Sequence, residues 1–150
     1  MKKPGLLLVL STGMLVLCLG TSRAQSTAQA QATWTDPATG LVWPLNDNGD
    51  VIDWSQAESY CQKSRLGGYL GWRLPTVSEL AAIYDPTKTV GEDAHIKGAI
   101  LLTDDIVWSS EAAGAPGDVW VFNFYNGHRF TTHASNNGAR ALCVLGNDRQ

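Results

Sequence analysis

Gly71-Trp72-Arg73-Leu74-Pro75-Thr76-Val77-Ser78-Glu79-Leu80 (GWRLPTVSEL) packs an entry signal, a helix cap and the start of an apolar stripe into ten residues. Thr76 and Glu79 have the spacing of a capping box. Each side chain takes an amide that the start of a helix leaves unpaired. Pro75 sets the direction of entry. Val77, Leu80, Ile83 and Tyr84 then share one stripe, and Asp85-Pro86 ends it. Arg73, between Trp72 and Leu74, is expected to be partly buried and paired with a carboxylate or with loop carbonyls.

Upstream of this stretch a second helix begins at Asp53, with Gln56 completing another capping box. Trp54, Ala57 and Cys61 fall on one face, and Leu66-Gly67-Gly68-Tyr69 turns the chain. Residues 32–43 read as a hairpin, because Asp36-Pro37-Ala38-Thr39-Gly40 is turn chemistry between strand formers. Asn46 to Asp50 reads as a solvated polar turn. Downstream, residues 86–106 look like loop, with only Ile100 to Leu102 strongly apolar, and Val107 to Ser109 like a short strand. Glu111 to Asp118 has the composition of a mobile surface loop. Val119 to Phe124 alternates, with Trp120, Phe122 and Phe124 on one face and Val121 and Asn123 on the other. Tyr125-Asn126-Gly127 is a tight-turn signal, and His128 to Thr132 returns as the partner strand. Ala141 to Leu145 is expected as the last strand. The order is that of an α+β domain, with two helices packed on short antiparallel strands.

The front of the chain has the pattern of a secretory signal. Lys2 and Lys3 precede an apolar run ending at Leu19, and Ser22-Arg23-Ala24 offers small residues for cleavage after Ala24. Cys18 raises lipidation as an alternative, against which stands the bulky Leu17 before it. The run is too short for a good membrane span. The expected organisation is therefore a signal at 1–24, a disordered leader at 25–32 and one domain at 33–147, in a secreted or periplasmic protein. Losing Lys2, Lys3 and Arg23 takes the formal charge from −3 by three units to −6. An acidic domain is a poor general binder of nucleic acid or anionic membrane, so neither is expected as a partner.

Three cysteines are encoded, and Cys18 falls in the signal. Cys61 and Cys143 form an even pair in an oxidising compartment, which points to a disulfide closing a loop of roughly 80 residues. Two free thiols, or a thiol nucleophile, are the alternatives.

In order along the chain, Thr35 to Trp43 (TDPATGLVW), Asp53 to Ala57 with Tyr60-Cys61, Gly67-Gly68-Tyr69, the GWRLPT run with Glu79-Leu80, Val107 to Ser110, Asn126-Gly127 and Leu142 to Val144 resemble the Lcl C-terminal domain family. The resemblance covers Trp34 to Gly146. It implies a C-type-lectin-like fold, related in architecture to the formylglycine-generating enzyme domain, in exported or surface-associated proteins. The family includes a bacterial surface adhesin that binds sulfated glycans. Other members often carry Arg on both sides of the final Cys. Leu142 and Val144 stand there in this chain, leaving only Arg140 nearby. That departure and the acidic charge count against sulfated ligands, which need clustered cations.

Candidate chemistry is sparse. The acid-Pro-Asn, Gln-Pro-Asp and Trp-Asn-Asp triplets of calcium lectins do not occur, and Val51 spoils Asn46 to Asp50 as a calcium loop. No thiol remains for formylglycine-type oxidation once Cys61 and Cys143 are joined. His95, His128 and His133 fall in no hydrolase or zinc pattern. No enzyme, cofactor or metal is expected. Trp120, Asn123, Tyr125, Asn126, His128 and Arg129 gather aromatic faces, amides and a guanidinium around one hairpin. They are the candidate site for a glycan or a cell-surface protein. The alternatives are an enzyme that keeps a degenerate formylglycine-type pocket, or its relic, and a structural accessory of the envelope.

Overall fold

The computed structural model describes residues 32–91 and 93–146. The expected signal and nearly all of the leader lie outside them. Strands β1 (Thr33–Thr35) and β2 (Val42–Pro44) form the first hairpin, with Trp34 opposite Trp43. Its turn is held by Asp36, whose carboxylate accepts from the Ala38 amide (3.2 Å) and the Thr39 hydroxyl (2.7 Å). Gly40 closes the turn at φ 73°, a conformation that costs glycine no Cβ clash.

Helix α1 (Trp54–Lys63) starts at the capping box of Asp53 and Gln56, and buries Ala57 and Cys61. A single 3-10 turn (Leu66–Gly68) follows. Helix α2 (Val77–Ala82) starts at the Thr76–Glu79 box. It is shorter than the stripe suggests. Ile83 is already its C-cap, since Pro86 disfavours helical backbone at Asp85. Val77, Leu80 and Ile83 are buried as the stripe requires.

The main sheet is antiparallel, in the order β3 (Ile106–Ala112), β4 (Asp118–Asn123), β5 (His128–His133). Strand β3 is longer than expected and shifts register between Trp108 and Ala112. Its extension takes up Glu111 and Ala112, so the expected surface loop shrinks to 113–117. Strands β4 and β5 pair without a break from Asp118↔His133 to Asn123↔His128. Phe124 leaves the strand for the turn but stays buried.

The sheet is covered on both faces. Phe122 packs with Val77, Leu80, Ile83, Ile100 and Phe124, with Trp120 at the margin. Val119 and Val121 pack with Ala57, Cys61, Trp72, Trp108 and Cys143. Helix α2 therefore lies against one face and α1 against the other.

The described residues of 86–105 hold no helix or strand, as expected of a loop. The loop nonetheless enters the core, since Ala94, Ile96 and Ile100 are fully or nearly buried and Tyr84 bridges Ile96, while Leu101 is exposed. Two expectations need correction. Asn46 to Asp50 is not simply solvated. Asp47 is 7 % exposed and accepts hydrogen bonds from the Gly49 amide (2.8 Å), the Thr103 amide (2.6 Å) and the Thr103 hydroxyl. Residues 141–145 are extended but form no ladder. They make single bridges, Val144 to Arg73 and Leu145 to Val42.

Cys61 and Cys143 are disulfide-bonded, with Cα atoms 5.5 Å apart and a sequence separation of 82. The bond ties α1 to the last extended segment in the middle of the second apolar cluster. In the chain-entropy account, closing so long a loop stabilises by about 4–5 kcal/mol, and measured values are often smaller. Replacing both cysteines by alanine should lower the free energy of unfolding in urea by about 2–5 kcal/mol. An unchanged urea midpoint would show that packing alone holds α1 to the last segment.

Candidate functional site

The six hairpin residues fall into two groups. Phe122 and Arg129 are direct cross-strand partners, and Trp120 sits one same-face step along β4. The Arg129 guanidinium carbon lies 5.0 Å from the centre of the Trp120 ring. This is cation–π distance. The guanidinium makes no hydrogen bond or ion pair among the described residues. Its donors are therefore available.

Asn123 and Asn126 serve the turn. Asn123 Oδ1 accepts from the Tyr125 amide (2.7 Å), and Asn126 Oδ1 accepts from the His128 amide (3.0 Å). Gly127 closes the loop onto the Asn123 carbonyl (2.8 Å) at φ 74°. A Cβ there would come within 2.7 Å of the Tyr84 ring, so no side chain fits. Tyr125 is exposed and tilts toward His95, with centroids 6.5 Å apart. It belongs to the tip, together with His95 and Tyr84. His128 is exposed and lies across from Asn123.

A groove of about 450 Å³ runs between α2 and this hairpin. Val77, Ala81 and Phe122 line it with apolar surface, while Ser78, Glu111, His128 and Arg129 supply polar groups. Sequence reasoning missed the α2 wall and Glu111. Glu111 accepts from the Val77 amide (2.8 Å) across 34 residues. It adds a second carboxylate to the positive start of α2, a pairing that no local pattern announces.

Two further hollows flank residues 85–105. One, of about 490 Å³, is lined by Asp93, Thr103, Asp104 and Asp105 among others. Burial pushes the Asp105 carboxyl above its ordinary value, and Asp104 and Asp93 push the same way against His95. Among the described residues, no three His, Cys, Asp or Glu side chains are grouped to hold a metal ion. The other hollow, of about 430 Å³, lies beside Trp34, Lys88 and Lys97.

The GWRLPT run is scaffold. Trp72 is buried and donates to the Tyr69 carbonyl (3.1 Å). Arg73 makes a bidentate pair with Glu79 (2.8 and 2.7 Å) and also reaches the Leu74 carbonyl. The Pro75 carbonyl accepts from the Ser110 amide (2.7 Å), which docks the entry to α2 on β3. The sequence pattern of the Lcl C-terminal domain family matches residues 32–145. The chain belongs to the Lcl C-terminal domain family. No curated protein matches it. In this Lcl C-terminal domain, the residues that carry the family resemblance are mostly caps, turns, buried tryptophans and the disulfide. Of the hairpin residues, only Asn126 falls among them. Membership therefore accounts for the scaffold and leaves the hairpin face to be read on its own chemistry.

Two carboxylates should give opposite pH signatures. Burial raises the Glu79 pKa, but the hydrogen bonds from Arg73 and Thr76 outweigh it and hold the group below its ordinary value. Its contribution is present above the ordinary carboxylate range and is lost as pH falls through the lowered value. Glu79→Gln should destabilise by about 1–2 kcal/mol at neutral pH, with the deficit shrinking as the solution is acidified. Asp105 has a raised pKa, so its ionised form opposes folding. Asp105→Asn should raise the melting temperature at neutral pH, and that gain should fade toward acid. Melting curves of both variants across acid and neutral pH check the pair. Parallel pH profiles for the two would contradict these assignments.

Proposed function

We propose that the protein is an exported, non-enzymatic binding module with a C-type-lectin-like fold. Its recognition surface is the β4–β5 hairpin face, and its ligand is a glycan. The single observation that carries this reading is Arg129, stacked 5.0 Å above Trp120 with its donors unused beside the groove. An indole face accepts the C–H side of a sugar ring, while a guanidinium donates to ring hydroxyls or acyl oxygens. Ser78 and His128 stand ready along the same groove.

Export is supported by the pattern of residues 1–24 and by the disulfide, which persists in oxidising compartments. No helix among the described residues is long and apolar enough to cross a membrane. The lectin-like fold is supported by the family's architecture, by two helices on opposite faces of a small sheet, and by the disulfide from the first helix to the last extended segment. The ligand is read as neutral or weakly charged. Leu142 and Val144, where other family members often carry Arg, are 0 % exposed here and present no cation.

A glycan array probed with the purified mature chain tests the reading, once with calcium and once with chelator. Binding should be indifferent to chelator. Trp120→Ala and Arg129→Ala should each weaken it by about tenfold, equivalent to about 1.4 kcal/mol. Arg129→Ala should leave the melting temperature little changed, whereas Trp120→Ala, which also removes packing at the margin of the first apolar cluster, should lower it. Full binding by both folded variants would sink the hairpin site. Loss of binding in chelator would contradict a metal-independent site at the hairpin. Silence across the array would favour a protein ligand or an accessory role in the envelope.

A further inference from the structure

Three Asn-Gly pairs occur in the described residues: Asn48-Gly49, Asn126-Gly127 and Asn137-Gly138. An asparagine followed by glycine is open to ring closure. No Cβ on the second residue obstructs its amide nitrogen as that nitrogen approaches the asparagine side-chain carbon. Sequence alone ranks the three pairs alike, whereas their surroundings in the fold differ.

At Asn48 both halves of the reaction are tied down. The side chain donates to the Asp50 carbonyl (2.7 Å) and accepts from the Ala141 amide (2.7 Å). The Gly49 amide donates to Asp47 Oδ1 (2.8 Å). At Asn126 the side chain accepts from the His128 amide, and the Gly127 amide donates to the Asn123 carbonyl. Tyr84 also packs on Gly127. In both pairs the attacking nitrogen is engaged as a donor, and the group under attack is held.

Asn137 and Gly138 make no hydrogen bond among the described residues. Asn137 is exposed, and a Cβ on Gly138 would meet nothing within 4 Å. The pair sits in the link between the end of β5 at His133 and Ala139, whose carbonyl accepts from the Ile52 amide. It is exposed, with no hydrogen bond of its own to break, on a link held at both ends.

We propose that Asn137 is a site of spontaneous deamidation selected by the fold. The Gly138 amide nitrogen gives up its proton and attacks Cγ of Asn137, forming an N–Cγ bond. The Cγ–Nδ2 bond breaks, and the side-chain nitrogen leaves as ammonia. Water then opens the five-membered imide at either carbonyl, giving aspartate or isoaspartate. Either product adds one negative charge near neutral pH. Isoaspartate also inserts a methylene into the backbone between β5 and the segment that carries Cys143.

The test is incubation of the mature protein in warm, mildly alkaline buffer, natively and in concentrated urea, followed by tryptic mapping. Cleavage after Arg129 and Arg140 isolates residues 130–140, and fragment sequencing separates Asn136 from Asn137. Natively, Asn137 should convert roughly tenfold or more faster than Asn48 or Asn126, whose ring closure must first break hydrogen bonds. In urea the three rates should converge. Gly138→Ala should slow conversion at Asn137 without lowering the melting temperature, since the added methyl enters open space at a glycine whose φ is not positive. Equal native rates, earlier conversion of Asn126 or Asn136, or a Gly138→Ala rate equal to wild type would each overturn the proposal.

Discussion

Residues 139–145 hold the domain together by bonding to nearly every other part of it. The Ala139 carbonyl accepts from Ile52, and the Ala141 carbonyl and amide bond the backbone and side chain of Asn48. The Arg140 amide donates to Ile106, and its carbonyl accepts from Trp108. Val144 exchanges both backbone bonds with Arg73, and Leu145 does the same with Val42. Ala141, Leu142, Cys143 and Val144 are all fully buried. One extended run thus links the first hairpin, the polar loop, the approach to α1, the approach to α2 and the sheet, and the disulfide adds α1 itself. A buried backbone must find partners for its amides and carbonyls. Here that demand is met by many short segments, each contributing one or two bonds.

The same economy governs the buried polar groups. Asp36 organises the first turn, and Asp47 anchors Thr103. The Ser109 hydroxyl donates to the Trp120 carbonyl, while the Ser109 carbonyl accepts from Trp54 Nε1 (2.8 Å). Trp108 Nε1 donates to the Ile52 carbonyl (2.8 Å). The Asp36 bond is local, while the others join separate segments of the chain. Trp43 Nε1 and Arg140 Nε are the exceptions, buried with no partner among the described residues. Ser109 ties the strand that carries Trp120 to β3 and to α1.

The features legible in the sequence were those with short-range causes. Both capping boxes, the Asp36–Gly40 turn and the Asn-Gly hairpin are written within a few residues, and all are present. Features that depend on distant partners were not legible. Asp47 looks like a solvated loop residue until Thr103 is brought to it, and Glu111 looks like loop until α2 docks on β3. Ala94 and Ile96 have no periodicity because they enter the core from an irregular path. Residues 141–145 read as a strand because their apolar content matches one, but their partners are scattered over the chain. At the candidate site, the Trp120–Arg129 pair follows from same-face spacing across a hairpin. The α2 wall of the groove follows only from tertiary packing. Asn123 and Asn126, chosen as ligand donors, commit their carbonyl oxygens to the turn.

The position of the disulfide also sets how the domain would respond to force. The first hairpin and Leu145 lie side by side, so the chain enters and leaves the domain at neighbouring points. A load applied across them would peel the Val42–Leu145 contact first. It would then draw out the residues before Cys61 and the few after Cys143. There the extension would stop, because the covalent bond spans the 82-residue separation and takes up the tension itself. The sheet, α2 and the Trp120–Arg129 face all lie inside that loop. Under shear, the loop would be shielded from extension, but drawing out β2 would pull Trp43 from the apolar cluster that underlies Phe122.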